Sequence, residues 1–399
     1  MPRTILDVHI LQTLPPSNIN RDDTGSPKTA TYGGALRSRV SSQAWKRATR
    51  TTFSDLLDPA ELGVRTKRAV AALVERITKL DPTISTADAA TAAAEVLREA
   101  TGAKFEVPKK RGNADKHADG EDEQALPESG YLLFLSARQL DNLAALALKA
   151  VKDPAFLKDK ANRKEAREAA DTEHSIDIAL FGRMVADTKD FNVEAACQVA
   201  HAISVHGVEN ESDFFTALDD RRTDAESGAG MLGVIDFNSS TLYRYAALDV
   251  DRLANNLGPA LREHEPAAEP TLRAVQAFLE AFVTSLPTGK INTFAHQTLP
   301  DVVIVKLRTA RPISFAAAFE EPVTADAETG GYLKNACARL AAFIPQIERT
   351  YDAQNGTETW MLRIGTATDA LDACGKTVGI RELLDHVGQA VAERLGQAR

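Results

Sequence analysis

The segment "TILDVHILQTLP" (residues 4–15) is the pattern on which the predicted fold is built. Its side chains alternate between two faces, with Asp7 on one face and Leu6 on the other, which is typical of a β-strand. Pro15 and Pro16 follow and predict a turn. The sequence therefore predicts that the chain begins with a strand.

Further strands are predicted downstream. The segments "GVIDFNSSTLYRYAALDV" (233–250) and "DVVIVKL" (301–307) have strand patterns, and "SIDIALFGRMVAD" (175–187) is strand-like. Residues 194–208 begin with an apolar run that is either helix-like or strand-like and continue as an alternating strand. Because the polar stretch 209–232 separates two strands, we expect a long hairpin with an elaborated tip.

Helical patterns fill the part of the chain between these strands. Residues 56–104 are rich in Ala, Leu, Glu and Arg, and helical patterns resume at 137–153 and 160–174. Residues 105–129 are polar, contain Pro and Gly, and predict a long exposed loop. Helices are also predicted at 249–258, at 271–286 and near the C-terminus, so the fold class is α+β, a sheet domain interrupted by a helical insertion.

Composition excludes several classes of protein. The chain has 399 residues and 44% hydrophobic content, enough for roughly two or three domains. No run of about 18 apolar residues and no signal-peptide pattern occurs, so we expect a cytoplasmic protein without a membrane partner. Cys197, Cys337 and Cys374 lie far apart and the histidines are scattered, which predicts no disulfide, no metal site and no cofactor.

One segment contrasts with the acidic balance of the chain. The net charge is -9, yet residues 24–54, which we call the basic window, contain no Asp or Glu. The basic residues of this window are Lys28, Arg37, Arg39, Lys46, Arg47 and Arg50. A binding site confined to one groove is compatible with an acidic remainder that repels non-specific partners.

The second half of the basic window predicts a helix that begins at a Ser41 or Ser42 cap. Its spacing places one set of residues on an outer face, namely Gln43, Lys46, Arg47 and Arg50, and another on the core face, namely Trp45, Ala48, Thr49, Thr52 and Phe53. Cations, hydroxyls and a helix N-terminus together favour binding of a nucleic-acid backbone. The alternative is a solvated helix face that is basic without binding anything.

Enzymatic interpretations rest on weaker patterns. Asp22 and Asp23 are adjacent carboxylates that could hold a metal, although such a run more often forms a turn. The segment "PTGKIN" (287–292) lacks phosphate-loop spacing and predicts a turn, while His201 and His206 have no matching nucleophile. Met184 follows "GR" and is either a core residue or a wedge between bases, and His201 and His206 are structural or stack on RNA.

Taken in order along the chain, several short motifs resemble the backbone subunit of the type I-E CRISPR Cascade complex, the CasC family of the RAMP superfamily. They are "NRDD", "YGG", "R-x-R-V-S-S-Q-A-W-K-R-A-x-R", "DIALFGRM", "AHAIS", "DFFTALDD" and "DFNSSTLYRYA". The resemblance runs from residue 4 to past residue 320 and weakens after that. The long loop at 105–129 departs from the family pattern.

The resemblance implies a right-hand architecture. An RRM/ferredoxin-like palm would comprise 1–55, 176–200 and 246–399, helical fingers 56–175, and a β-hairpin thumb 201–245. Members of this family have no nuclease activity, and their copies stack in a filament along one CRISPR RNA. The implied partners are CRISPR RNA, target DNA through guide pairing, other copies of the chain and other Cascade subunits.

The resemblance also implies roles for individual residues. Guide-backbone contacts correspond to Arg21, Lys28, Ser41, Gln43, Lys46, Arg47 and Arg50, and Met184 to the residue that displaces a base. In the thumb the matching positions are His206, Val208, Met231 and Leu232. Arg37, Arg39, Ser42 and Arg183 complete the candidate RNA-binding set. The alternative of a different class is a RAMP-type, metal-dependent ribonuclease that cleaves guide-matched RNA through Asp22 or Asp23.

Overall fold

A computed structural model describes residues 3–108, 125–185, 191–217, 231–258, 265–328 and 330–397. The chain divides into two compact units. The first consists of Met1–Asp55, Cys197–Asp251 and Leu272–Arg399, and the second of Leu56–Ala196 and Arg252–Thr271. Most of the predicted loop at 105–129 lies outside the described residues. The division into palm, fingers and thumb stays a prediction, although residues 176–196 group with the second unit.

The strands are β1 (Ile5–Ser17), β2 (Thr29–Tyr32), β3 (Ala35–Val40), β4 (Gly63–Thr66), β5 (Phe105–Glu106), β6 (Glu128–Ser129), β7 (Leu133–Ser136), β8 (Cys197–Val199), β9 (Ala202–Ser204), β10 (Glu211–Ala217), β11 (Met231–Asp249), β12 (Val302–Arg308), β13 (Glu358–Arg363) and β14 (Lys376–Thr377).

The helices are α1 (Ser42–Leu56), α2 (Ala69–Leu80), α3 (Thr86–Thr101), α4 (Ala137–Lys152), α5 (Lys160–Asp171), α6 (Ile176–Phe181), α7 (Val250–Leu257), α8 (Glu269–Thr284), α9 (Ile291–Phe294), α10 (Leu333–Thr350) and α11 (Ile380–Gln397). Together with the strands they make a mixed α+β protein, as predicted. Within the described ranges, no helix is both long and apolar enough to span a bilayer.

The first unit is built on one sheet, to which ten strands belong among the described residues. Its order is β14-β13-β12-β1-β11-β9-β3-β2, and β8 and β10 also pair with β11. The segment that opens the chain, β1, lies at the centre and pairs antiparallel with both β11 and β12. Almost all of β1 is buried. The strand is therefore covered on both faces, although its sequence alternates.

Two local predictions were wrong. The turn at Pro15 and Pro16 is absent, because β1 continues to Ser17 across a register shift that starts at Leu14. Proline is tolerated there since a bulged ladder does not need its missing N–H. The strand-like run at 175–187 instead contains the helix α6, since a short buried apolar run has no period that separates the two states.

The predicted hairpin forms around β11. Strands β8 and β9 pair antiparallel with its C-terminal half, as expected, and β10 pairs antiparallel with its N-terminal half. The polar stretch 209–232 therefore supplies a strand of its own, in which Phe214 lies opposite Val234. Both side chains are exposed. The tip of this hairpin, residues 218–230, lies outside the described residues.

The second unit has a helical core, as the patterns at 56–104, 137–153 and 160–174 predicted. Buried Leu, Ala, Val and Ile side chains from α2, α3, α4 and α5 form one apolar cluster. Helix α4 begins with a capping box, in which Ser136 Oγ accepts from the Gln139 backbone N–H at 3.0 Å and Gln139 Oε1 accepts from the Ser136 N–H at 2.9 Å.

A buried histidine lies beside this capping box. Hydrogen bonding fixes the orientation of the Gln139 side-chain amide, since its Nε2 donates to the Thr172 carbonyl at 2.7 Å. His174 Nδ1 lies 3.0 Å from the same Nε2 and must accept, so the ring is neutral. Burial, followed by the charge of Arg183, lowers the pKa of His174 to about 4.

We expect the second unit to lose stability as the pH falls from about 6.5 to about 4. The unfolded chain binds a proton at His174 in this range and the folded chain does not, so stability is greatest above the range and falls by about 3 kcal/mol across it. Amide hydrogen exchange of α4 measures this loss. His174→Gln should remove most of the pH dependence, and an unchanged dependence in that variant would assign it to other groups.

The first unit contains a buried ionic network. Arg308 donates from Nε to Asp7 Oδ2 at 2.7 Å and from Nη2 to Glu348 Oε1 at 2.9 Å, and Lys306 Nζ lies 3.0 Å from the same Glu348 oxygen. Tyr245 donates to Asp7 Oδ1 at 2.8 Å. The pKa of Asp7 is nevertheless raised, because desolvation outweighs the attraction of Arg308. The network joins β1, β11, β12 and α10.

Candidate nucleic-acid interface

Helix α1 begins where the sequence predicted. Ser41 Oγ accepts a hydrogen bond from the Ala44 N–H at 3.3 Å, while the Ser41 N–H donates to Asn20 Oδ1 at 2.8 Å. The first turn contains no acidic residue. The positive end of the helix dipole is therefore kept free of competing carboxylates from its own helix.

The two faces of α1 differ as expected. Trp45, Thr49 and Phe53 are buried, and Ala48 and Thr52 are half-buried beside them. On the outer face Gln43 and Arg47 are exposed, whereas Lys46 and Arg50 are half-buried. The outer face thus presents amide and cationic groups in one row.

Arg244 anchors α1 to the sheet. Its guanidinium lies 3.7 Å from the centroid of the Trp45 ring and 4.7 Å from that of Phe282. It donates to Gln12 Oε1 at 2.6 Å and to the Phe282 carbonyl. Burial lowers the pKa of Arg244 to about 9. This cation is structural, and it holds the helix so that the outer face of α1 points away from the core.

A second group of cations lies on β3 and in the loop between β1 and β2. The Lys28 N–H donates to the Asn20 carbonyl at 2.9 Å, and the Arg39 N–H donates to the Lys28 carbonyl at 2.8 Å. Arg39 Nη1 lies 3.1 Å from His201 Nδ1. The pKa of His201 is lowered by burial, then by the charges of Arg39 and Lys28, which indicates a locally positive field. Arg21 is exposed nearby in the chain, on the same loop.

These cations border a small cleft. It is lined by the end of β1, the loop and β3, with Asn20, Lys28 and Arg39 on one side and Asn238 and Ser240 of β11 on the other. The lining combines cationic, amide and hydroxyl groups, which are the groups that contact phosphate and sugar oxygens. Asn20, Asn238 and Ser240 were absent from the predicted binding set.

Two predicted arginine contacts lie in the interior instead. Arg37 is fully buried, and its guanidinium donates to the carbonyl oxygens of Tyr32, Ser204, Phe319 and Glu320 at 2.9–3.2 Å. Its donors are used by these backbone carbonyls, as is usual for a buried polar group. Burial lowers the pKa of Arg37 from its ordinary value. In this conformation Arg37 has a structural role.

Arg183 is likewise buried, within the second unit. It donates from Nε to the Phe191 carbonyl at 2.8 Å and from Nη1 to the Ala170 carbonyl at 3.2 Å, and it pairs with Asp171 at 3.0 Å. Its guanidinium stacks 3.4 Å from the Phe191 ring centroid. Burial lowers the pKa of Arg183 to about 10. Arg183 is therefore a buried, packed cation and not a surface one.

Met184, the next residue, has the opposite environment. Its side chain is 88% exposed, so the interpretation of Met184 as a core residue was wrong. Gly182 makes the preceding turn with φ of 77°, and a Cβ there would lie 2.7 Å from the Val193 carbonyl oxygen. The role of Met184 as a wedge between bases stays a prediction.

Two of the four predicted thumb positions, His206 and Val208, are interior. His206 stacks on Tyr332 with ring centroids 3.6 Å apart, donates from Nδ1 to the Gly207 carbonyl at 2.7 Å and accepts at Nε2 from the Thr241 N–H at 3.1 Å. Val208 is also buried. Met231 and Leu232 begin β11, opposite Ala217 and Thr216, and their side chains lie outside the described part of the chain.

The carboxylates next to the basic window have a local function. Asp22 Oδ1 accepts from the Thr24 N–H at 2.9 Å, the Thr24 hydroxyl at 2.7 Å and the Ser26 N–H at 3.1 Å. These bonds, chiefly the one from the Thr24 hydroxyl, lower the pKa of Asp22. Asp23 is exposed. Asp22 therefore organises a turn, and the described residues contain no group of three His, Cys, Asp or Glu that could hold a metal ion.

A family model matches most of the chain. The model described as CT1975-like protein, a Cas family, matches residues 6–386. The chain belongs to the CT1975-like family. This confirms the predicted resemblance at the level of a Cas protein. No curated protein sequence matches this CT1975-like protein.

Two solved structures are similar to this CT1975-like protein over nearly its whole length. One, titled "CRISPR RNA-guided surveillance complex, pre-nicking", has a TM-score of 0.80 at 32% identity and covers 97% of this chain and 100% of that chain. Another, titled "CRISPR RNA-guided surveillance complex", has a TM-score of 0.68 at 30% identity and covers 97% of this chain and 99% of that one. The similarity spans both compact units.

Proposed function

We propose that this CT1975-like protein is a non-catalytic subunit of a CRISPR surveillance complex that holds CRISPR RNA by its phosphate backbone. The observation that carries the proposal is the outer face of α1, where Gln43, Lys46, Arg47 and Arg50 share one side of a capped, acid-free helix start. The cluster of Lys28, Arg39 and His201 extends the cationic surface of the same unit.

The chemistry of these groups favours backbone recognition without a sequence code. Cations and hydroxyls that contact phosphates fix the register of a strand but do not distinguish its bases. The bases then remain available for pairing, and guide pairing with target DNA supplies the specificity. A subunit of this kind binds any guide sequence.

The finer form of the proposal is a type I-E Cascade backbone subunit of the CasC family. The strand order β12-β1-β11-β9 supports a βαββαβ, RRM-like palm. In the chain, α1 comes between β1 and β9, and α8 comes between β11 and β12. The hairpin of β10 and β11 would serve as the thumb. Exposed Met184 would displace a base, and copies would stack in a filament along the RNA.

The salt dependence of RNA binding tests the proposal. Six basic residues are proposed to face the backbone: Arg21, Lys28, Arg39, Lys46, Arg47 and Arg50. We expect the logarithm of the affinity for single-stranded RNA to fall with the logarithm of salt concentration with a slope of about -4. Binding that does not change with salt would contradict a phosphate-contacting interface.

Incubation of the assembled complex with guide-matched RNA and a divalent metal separates the proposal from the ribonuclease alternative. We expect the RNA to remain intact, since Asp22 is used as a turn acceptor. Periodic cuts that disappear in Asp22→Ala or Asp23→Ala would establish the ribonuclease instead.

A further inference from the structure

We propose that residues 287–298, the loop after α8, form an additional contact to the RNA backbone through Lys290 and Asn292. This inference rests on the proposed function and extends its site to a segment that the sequence patterns assigned to a turn. The loop contains the short helix α9 and the motif "PTGKIN".

The loop shares with the basic window the lack of acidic residues, and it contains one cation, Lys290. No Asp or Glu occurs between Glu280 and Asp301, in a chain whose net charge is -9. Thr288, Asn292 and Thr293 are exposed, and Lys290 is half-buried. The polar side chains at the surface of the loop are therefore a cation, an amide and hydroxyls, which are groups that donate to phosphate oxygens.

Gly289 allows the loop to lie against residues 18–19, next to the Asn20 side chain that binds the start of α1. A Cβ at Gly289 would lie 2.4 Å from the Ile19 carbonyl oxygen, so only a glycine allows this approach. Ile19 directly precedes Asn20, whose side chain holds the Ser41 N–H at the start of α1, and Arg21 follows. The loop backbone therefore lies against the segment that precedes the basic window.

The loop is held in one conformation. His296 donates from Nε2 to the Pro287 carbonyl at 3.2 Å, Thr298 donates to the Thr13 carbonyl at 2.9 Å, and Gln12 donates to the Thr298 carbonyl at 2.7 Å. The Phe294 ring lies 5.7 Å from that of Phe237 on β11.

This packing keeps two residues in the left-handed region, Lys290 at φ of 52° and Ala295 at φ of 47°. Such conformations persist only where the surroundings impose them. A loop ordered before binding loses little entropy when RNA arrives.

Lysine acetylation of the unaltered protein tests the contact without a risk of misfolding. We expect bound single-stranded RNA to protect Lys290 from an amine-reactive acetylating reagent, as measured by peptide mass spectrometry. Lys376, exposed on β14, should react equally with and without RNA and serves as the internal control. Equal reactivity of Lys290 with and without RNA would overturn the inference.

A charge-removing variant gives an independent measurement. Lys290→Asn removes the cation, and asparagine tolerates the left-handed conformation. We expect its affinity for RNA to fall several-fold and the salt slope to decrease in magnitude by about 0.7, while Lys376→Asn leaves both unchanged. If the wild type binds RNA and the salt slope of Lys290→Asn is the same as that of the wild type, the inference is wrong. Failure of the wild type to bind RNA would instead remove the proposed function, and this inference with it.

Discussion

Lys46→Glu combined with Arg50→Glu is expected to weaken binding of single-stranded RNA on the order of a hundredfold at low salt. Both residues lie on the outer face of α1, one turn apart, and each change replaces a cation that we propose to contact phosphate with a carboxylate. Trp45, Thr49 and Phe53 remain to pack the opposite face, so the helix should still fold. Fluorescence anisotropy with a labelled RNA measures the change.

The chain offers a matched control on another helix. Lys160 and Lys164 are exposed on α5 at the same spacing, and Lys160→Glu with Lys164→Glu changes the net charge by the same amount. If the control loses affinity as strongly as the α1 variant, the effect comes from overall charge. A loss confined to the α1 variant places the RNA on that helix face.

Arg308→Ala is expected to lower the free energy of unfolding of the first unit by about 3–5 kcal/mol, because it leaves Asp7 and Glu348 without their shared buried cation. Both tryptophans of the chain, Trp45 and Trp360, belong to this unit. Urea unfolding followed by tryptophan fluorescence therefore reports on this unit alone.

An exposed ion pair of the same unit provides the comparison. Arg3 pairs with Asp249, and the Arg3 side chain is 52% exposed. Arg3→Ala should cost less than about 1 kcal/mol, since solvent screens such pairs. If Arg3→Ala and Arg308→Ala lower the free energy of unfolding equally, the buried network stabilises this fold no more than an exposed ion pair does.

Local patterns in the sequence were sufficient to predict the central strand, the helical unit and the start of α1. The period of α1 reflects which face is buried, the apolar run of β1 reflects a strand covered on both faces, and the Ser41 cap is a short-range interaction. Element boundaries were less predictable: α6 is a helix where a strand was expected, since its apolar run is too short to carry a period.

Side-chain environment was the least predictable feature of the site. Arg37 belongs to the basic window and Arg183 was included in the candidate RNA-binding set, yet each is buried and its guanidinium donates to backbone carbonyl groups. The contacts of Arg37 with Ser204, Phe319 and Glu320 come from residues far along the chain, and those of Arg183 depend on how the chain folds around it, so local sequence patterns do not show them. The same limit hid Asn20, Asn238 and Ser240, which reach the cleft only after β1, β3 and β11 assemble.

The nucleic acid that copurifies with this protein from the cells that naturally express it tests the central claim most directly. We expect single-stranded RNA of uniform length, with varied guide sequences between constant ends, to remain bound through purification at low salt and to dissociate at high salt. A preparation that carries no RNA, and that does not bind added single-stranded RNA at low salt, would contradict the account.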